Sequence, residues 1–342
     1  MTISKMAAPS VSSPELEDRE NTMRVILFAS LAVLAAGPVQ AQDFPRRSIT
    51  MVVPFAAGGP TDIVARVTAE AMGRQLGQTI VVENAAGAGG TLGSLRVVRA
   101  ESDGYTMLLN HIGLATAVAL YRKLSFNPVT DLKPIGVVSD ANMAVIARPA
   151  YPANNLADVI ADIKARGDKV TFAHSGLGSS SQLCGLFFMD AIKAKVTEVP
   201  FRGGGPVIQA LLADQVDLGC EQATTAAPLV REKRVKAYAV TSEKRLPSIP
   251  DVPTAAEAGL ANLVISVWHG LYVPAKTPDA TAAILTKALA QALKDPGLIK
   301  RFSDISTDAT PDKATPAALG QTLQSEINRW GPLIKATGQV AD

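Results

Sequence analysis

Four glycine-rich segments are the residues of this sequence best suited to hold a ligand. They lie at 58–59, 87–90, 176–181 and 203–205, and each falls between an apolar run and an amphipathic stretch. Glycine lets the backbone approach a ligand closely and adopts backbone angles that other residues avoid. Free N–H groups at a helix start, with the helix dipole behind them, favour an anion. The segments therefore predict an anion site built from backbone amides.

The elements around these segments follow a repeated order of strand, turn and helix, which is typical of α/β folds. The first repeat has a strand at 49–55, a glycine turn and a helix that starts at Pro60, a position where proline is tolerated. In open α/β sheets, ligands bind at the carboxyl ends of the strands. Two glycine segments fall in each half of the chain, so we expect all four to face one cleft between two lobes. A simple tight turn or helix cap is the alternative for any one of them.

Length and charge indicate a two-domain protein without a nucleic-acid partner. The chain has 342 residues, and single cores usually stop growing at about 250–300 residues. It carries 33 basic and 31 acidic side chains without a basic stripe or an acidic tail. We predict a monomer of α/β class, with lobe 1 formed by 43–144 plus 266–342 and lobe 2 formed by 145–265.

The first 41 residues predict export. Arg24 precedes an apolar run at 25–36, and Val39-Gln40-Ala41 fits the small-residue cleavage site of a signal peptide. The apolar run is shorter than the roughly 18 residues that span a bilayer, although a buried helix is an alternative. An acidic stretch before Met23 fits a signal poorly. Residues 1–41 are therefore interpreted as a signal peptide with an N-terminal extension, and the mature protein as periplasmic.

Two cysteines, Cys184 and Cys220, lie in the mature part of the chain. An oxidising compartment favours a disulfide between them, and two buried thiols are the alternative. Their spacing does not fit a zinc or redox motif.

The motifs of common enzyme classes are missing from the sequence. It has no P-loop, and Leu92 breaks the dinucleotide fingerprint that Gly87 would begin. No serine lies in G-x-S-x-G, and the three histidines are far apart without H-E-x-x-H. We therefore expect no cofactor, no metal and no catalysis. His174 ends a strand at the predicted cleft, where it contacts ligand or caps the turn, whereas His111 and His269 are expected to be structural.

Longer segments of the sequence are distinctive. They include ITMVVPFAAGGPTDIVAR, GQTIVVENAAGAGGTLGS, VPFRGGGPVIQALLADQVDL and VWHGLYVPAKTP. From about Phe44 to the C-terminus the chain resembles the Bug family, the extracytoplasmic receptors of tripartite tricarboxylate transporters. The resemblance implies a two-lobed class II periplasmic-binding-protein fold, a small carboxylate ligand (dicarboxylate, amino acid or aromatic acid) and membrane transporter subunits as partners.

The resemblance also implies a ligand site, because family members hold a ligand carboxylate with backbone groups and ordered waters. The implied contacts in this chain are Phe55, Ala56, Ala57, Gly58, Gly59, Thr61, Asp62, Gly89, Gly90, Thr91, His174, Ser175, Ser179, Arg202, Gly203, Gly204, Gln222 and Thr225. Gln182 stands where the family commonly has a histidine, so no contact is carried over there.

The leading hypothesis is that the protein captures a small carboxylate and delivers it to the transporter. Two other functions compete with this hypothesis. One is a hydrolase that uses Ser175 or Ser179 in the same cleft, and it lacks the usual orienting base. The other is a ligand sensor that signals through a membrane kinase, which only partner identification separates from transport. For capture, we expect the lobes to close about crossover segments near 135–145 and 264–273.

Overall fold

Strands and helices alternate along the described chain. The computed structural model describes residues 44–341 together with Met1 and Ser4, so the rest of the predicted signal segment lies outside the described residues. Phe44–Asp342 forms one compact unit. The strands are β1 (Ile49–Val53), β2 (Ile80–Asn84), β3 (Thr106–His111), β4 (Leu132–Ala147), β5 (Thr171–His174), β6 (Thr197–Pro200), β7 (Leu218–Gln222), β8 (Lys236–Val240), β9 (Ser266–Pro274) and β10 (Thr307–Ala309). The helices are α1 (Pro60–Leu76), α2 (Thr91–Val98), α3 (Gly113–Leu120), α4 (Leu156–Arg166), α5 (Ser180–Ile192), α6 (Gly204–Leu212), α7 (Ala223–Arg231), α8 (Asp279–Ala292), α9 (Pro296–Asp304) and α10 (Pro316–Thr337).

The strands of the described part join in one ten-stranded sheet with the order β2-β1-β3-β9-β4-β7-β5-β6, and β8 and β10 also pair with β4. β2, β1 and β3 run parallel, as do β6, β5 and β7. The antiparallel strands β9 and β4 stand between these two groups. Each parallel group therefore has its own edge of strand carboxyl ends, followed by glycine-rich loops.

β4 links the two groups of strands. It pairs with β9 as far as Asn142 and with β7 and β8 beyond that residue. A crossover is expected here near 135–145, with apolar runs at 135–138 and 144–147. The intervening polar segment 139–143 is part of one continuous strand, because paired backbones on its flank satisfy its N–H and C=O groups. The predicted lobe boundary near residue 144 falls on this strand and stays a prediction.

The core lies on both faces of the sheet. In β1 every residue except Thr50 is buried, as the β-branched run predicts. α1 and α8 pack together on one side, and α10 packs on α3 and β4. Each fully buried aliphatic or aromatic side chain contributes about 1.5–3 kcal/mol. The terminal helices thus cover strands formed early in the chain, as the sequence predicted.

Cys184 of α5 and Cys220 of β7 form a disulfide, with their Cα atoms 5.9 Å apart. Both residues are fully buried. The predicted bridge is therefore confirmed over the alternative of two thiols. Among the described residues, no helix combines the length and apolar character needed to cross a membrane.

Candidate functional site

The glycine-rich loops lie at the carboxyl ends of four parallel strands. Loop A (54–59) follows β1, loop B (85–90) follows β2, loop C (175–179) follows β5 and loop D (201–203) follows β6. Each loop leads directly into a helix, respectively α1, α2, α5 and α6. Every loop therefore brings the unpaired N–H groups of a helix start to the same side of its strand.

Loops A and D touch through their backbones. The N–H of Ala56 donates to the carbonyl of Arg202 at 3.2 Å. Gly203 has a φ of +148°, and a Cβ placed on it would lie 2.9 Å from the Ala56 nitrogen. Only glycine permits this approach, so the glycine of loop D is explained by its contact with loop A.

Loops B and C meet in the same way. Gly89 has a φ of +59°, and a Cβ placed there would lie 2.1 Å from the carbonyl oxygen of Leu177. The hydroxyl of Thr116 in α3 also donates to the carbonyl of Gly178 at 2.8 Å. The loops from the first and second groups of strands are therefore in direct contact.

A cavity of about 190 Å³ lies between the four loops. It is lined by Pro54, Phe55, Gly87, Ala88, Gly89, Gly90, Tyr121, Ser175, Gly176, Leu177, Phe201, Arg202 and Ala341. Phe55, Gly89, Gly90, Ser175 and Arg202 are thus the predicted contacts that line it. Arg202, an exposed residue, is the one charged residue in this lining.

The other predicted contacts do not line this cavity. They are Ala56, Ala57, Gly58, Gly59, Thr61, Asp62, Thr91, His174, Ser179, Gly203, Gly204, Gln222 and Thr225. Several of them hold the loops: Ser179 caps α5 by accepting the N–H of Gln182 at 3.2 Å, and Thr91 donates to the carbonyl of Ala88 at 2.8 Å. Nδ1 of His174 accepts the N–H of Gly176 at 3.2 Å. Burial lowers the pKa of His174 to about 4, so its ring is neutral at pH 7.

Asp62 fixes the shape of loop A. Its Oδ2 accepts the N–H of Gly58 at 2.9 Å and Nε of Arg66 at 3.0 Å. Its Oδ1 accepts a second guanidinium nitrogen of Arg66 and the amide of Asn84, both at 3.0 Å. Burial raises the pKa of Asp62, but the hydrogen bonds from Arg66, Gly58 and Asn84 outweigh it and leave this pKa below its usual value. The carboxylate is thus engaged within the protein.

Glu221 is a residue of the site that the sequence analysis missed. The predicted strand ended at Cys220, with Glu221 opening a helix, but β7 continues to Gln222. Glu221 is therefore buried, and its Oε1 accepts the hydroxyl hydrogen of Ser175 at 3.0 Å. Burial raises the pKa of Glu221 to about 7. A carboxyl group stands directly behind a serine of the cavity wall.

His111 supports the opposite wall. Its ring stacks on Phe55 with the ring centroids 4.5 Å apart, and its Nδ1 accepts the N–H of Gly113 at 2.9 Å. Burial lowers the pKa of His111 to about 3 and also holds the pKa of His269 well below its ordinary value. Both rings are neutral packing groups, as predicted. Within the described residues, no cluster of histidine, cysteine and carboxylate side chains is arranged to hold a metal ion.

The C-terminal tail reaches the cavity. Nε2 of Gln182 donates to Oε1 of Gln339 at 2.7 Å, and the N–H of Ala341 donates to the carbonyl of Leu120 at 3.0 Å. These contacts place Ala341 in the cavity lining. Gln182, the position where the sequence departs from the Bug pattern, therefore holds the tail.

A larger hollow of about 280 Å³ lies between α5 and α10, and it is lined mainly by apolar side chains such as Leu183, Phe187 and Ile334. Backbone N–H groups inside helices are bonded within the helix, so its walls offer few donors. The cavity between loops A to D is the better site for an anion.

Comparison with known proteins assigns the family. The model of the tripartite tricarboxylate transporter family receptor matches residues 64–339. The chain belongs to this family. The receptor is 40% identical over 96% of both chains to a protein of Agrobacterium vitis described as the UPF0065 protein in the TAR-I ttuE-ttuC' intergenic region.

Two solved structures are similar to the receptor along nearly their whole length. The periplasmic binding protein BugD is 41% identical with a TM-score of 0.84, covering 86% of this chain and 99% of its own. MatC from Rhodopseudomonas palustris with bound malate is 40% identical with a TM-score of 0.82, covering 85% of this chain and 100% of its own. The expected Bug resemblance and periplasmic-binding-protein fold are confirmed, and the receptor is a solute-binding protein.

Proposed function

We propose that the receptor captures a small carboxylate in the cavity between loops A to D and delivers it to the membrane subunits of a tripartite tricarboxylate transporter. The observation that carries this proposal is the meeting of four loops, each leading into a helix start, around a cavity whose one charged lining residue is Arg202. Helix starts and a guanidinium group both favour an anion. MatC, which has the same fold, holds malate.

The size of the cavity restricts the ligand. At about 190 Å³ it is smaller than the roughly 300–1,000 Å³ of pockets that hold drug-sized molecules. It therefore suits a small organic acid or amino acid. In this proposal Arg202 and the loop amides bind the carboxylate, and Asp62, His174 and Ser179 keep the loops in position.

Closure of the loops couples capture to delivery. The hydrogen bonds from Ala56 to Arg202 and from Thr116 to Gly178 join the two groups of strands. β9 and β4 lie between these groups in the sheet. We place the hinge on these two strands. A ligand held by both groups binds the closed form more tightly than the open form, and only this difference can shift the equilibrium.

We also propose that the receptor works in the periplasm and is not an enzyme. Residues 1–41 direct export to the periplasm, where the Cys184–Cys220 bridge is stable. The receptor acts there as a monomer, without a cofactor. Transport activity in a strain that carries the membrane subunits separates delivery from signalling through a kinase.

Isothermal titration of the purified protein with malate tests the role of Arg202. We expect Arg202→Ala to weaken binding about 10- to 100-fold, because hydrogen bonds to charged groups contribute about 1.5–3 kcal/mol. Arg99→Ala is the matched control, since Arg99 is exposed and does not line the cavity. We expect this control to bind within about twofold of the wild type.

A panel of dicarboxylates, amino acids and aromatic acids in a thermal-unfolding screen extends the test. At least one acid should raise the melting temperature, whereas its neutral amide should not. Unchanged melting with every acid, or full affinity in Arg202→Ala, would contradict the proposal.

A further inference from the structure

Ser175 is a polar residue of the cavity wall with a fixed hydrogen-bond direction. Its Oγ lies 3.0 Å from Oε1 of Glu221, and the two residues are 9% and 1% exposed. A hydroxyl has one hydrogen and two lone pairs, whereas an ionised carboxylate can only accept. Above the pKa of Glu221, which burial raises to about 7, the hydrogen of Ser175 is therefore directed to Glu221, and its lone pairs are left for a group in the cavity.

Glu221 is itself held in place from two sides. Its backbone is part of β7, where it pairs with Ala144 of β4. Its Oε2 faces the start of α6, since a Cβ placed on Gly204 would lie 2.7 Å from this oxygen. The helix start favours an oxygen with negative charge at this point. The other oxygen of the carboxylate is thereby fixed toward Ser175.

The wall at Ser175 therefore offers an acceptor to the ligand. A ligand oxygen without a hydrogen meets two lone pairs there and gains no bond, while losing its water. A hydroxyl or an ammonium group at the same place donates to Oγ. A buried acceptor left without a donor is unfavourable, so the two kinds of ligand should differ about 10-fold or more in affinity.

We propose that Glu221 is a positioning residue that makes Ser175 an acceptor toward the cavity, so that the receptor prefers acids carrying a hydroxyl or ammonium group near the carboxylate. This inference rests on the proposed carboxylate capture and narrows its ligand class. The preference is a higher affinity for the hydroxy acid or amino acid than for the unsubstituted acid of the same carbon skeleton.

Isothermal titration at pH 8, where Glu221 is ionised, tests the preference with matched acids. The first set is succinate, malate and aspartate, and the second is glutarate, 2-hydroxyglutarate and glutamate. The third set is 3-phenylpropionate, phenyllactate and phenylalanine. In the set with the highest affinity, we expect the wild type to bind a donor-bearing acid at least about 10-fold more tightly than the plain acid. The difference in affinity between the hydroxy acid and the amino acid of that set identifies which donor is recognised.

Two variants test the mechanism. Ser175→Ala removes the acceptor, so the preference should fall to within about threefold while affinity for the plain acid changes little. In Glu221→Gln the amide oxygen faces the start of α6 and the NH₂ group donates to Ser175, whose own hydrogen then turns to the cavity. This variant should lose the preference although the serine is retained. Ser139→Ala, at a buried serine that does not line the cavity, should keep the wild-type preference.

The outcomes separate the inference from the proposed function. A purely structural role would weaken all acids of a set equally in both variants, and that result would overturn the inference. A wild type that binds the plain acid best would overturn it as well, with carboxylate capture intact. If no acid of any set binds the wild type, carboxylate capture fails and the inference fails with it.

Discussion

At the scale of single residues, loop A owes its shape to Asp62. Its two carboxylate oxygens accept hydrogen bonds from Gly58, Arg66 and Asn84, and the side chain is buried. Asn84 also donates to the carbonyl of Phe55, so the end of β2 and loop A are tied together. An acidic residue in an anion-binding loop is thus explained by internal bonds.

Replacing Asp62 by Asn should lower the free energy of unfolding by about 2–3 kcal/mol at pH 7, because a donor amide then faces buried donors. The pKa of Asp62 is lowered in the folded protein, so the advantage of the wild type is present above the ordinary value of 3.8. It shrinks as the pH falls through the folded pKa. Urea denaturation at pH 7 and at pH 3 measures both effects.

Glu70→Gln on the same helix is the control for Asp62. Glu70 is exposed and pairs with Arg74 at 2.9 Å and with Arg301, and such surface pairs contribute about 0–1 kcal/mol each. A loss in Asp62→Asn no larger than in this control would show that the internal bonds of Asp62 are unimportant.

Sequence patterns identified the loop glycines but missed Glu221. An acidic residue after a short apolar strand is usually solvated, and this expectation placed Glu221 at the start of a helix. The strand ends two residues later than predicted, and Ser175 lies on a segment 46 residues away in sequence. A pairing of this range leaves no local pattern, so only the fold reveals it.

At the scale of elements, the site depends on how closely the loops approach. The approach of loop B to loop C leaves no room for a side chain at Gly89. Gly77 at the end of α1 has nearly the same backbone, with φ and ψ of +65° and +20° against +59° and +18°, but a Cβ there would meet open space. The two glycines separate the effect of backbone strain from the effect of contact between loops.

Gly89→Ala should therefore weaken malate binding at least about 10-fold, because the methyl group forces loops B and C apart. Gly77→Ala carries the same left-handed strain, about 1–2 kcal/mol, and should leave binding unchanged. Isothermal titration measures affinity, and thermal unfolding measures the strain common to both variants. Equal binding by the two variants would contradict the requirement for contact between loops.

The order of strand, glycine turn and helix was predictable, since apolar runs and glycines are local signals. The continuity of β4 was not. Its polar middle, 139–143, interrupts the apolar pattern, but strand pairing satisfies the backbone there regardless of side-chain polarity. The sequence therefore indicated a crossover near 135–145 but not that it is one unbroken strand.

At the scale of the whole molecule, the Cys184–Cys220 disulfide closes a loop with a sequence separation of 36 residues. Loop entropy predicts a contribution of about 3–4 kcal/mol for a loop of this length. We expect the double variant Cys184→Ala/Cys220→Ala to unfold at correspondingly lower urea concentration. Neither cysteine lines the cavity, so malate affinity should stay within about twofold of the wild type. Unchanged stability, or a large loss of affinity, would contradict this assignment.

The two-lobed architecture could be anticipated from the segments that resemble the Bug family, but the position of the C-terminal tail could not. Gln182 and Gln339 are 157 residues apart, and nothing in the spacing of either residue indicates that they pair. Ala341 enters the cavity lining through this pairing and through its bond to Leu120.

The position of Ala341 has a practical consequence for handling the protein. An affinity tag fused after Asp342 would start one residue beyond the cavity wall, where it competes with solutes or obstructs their entry. Purification handles are better placed ahead of Phe44. A small environment-sensitive dye attached at the C-terminal end would, for the same reason, report the arrival of solute as a change in fluorescence, which would make the receptor a ready biosensor.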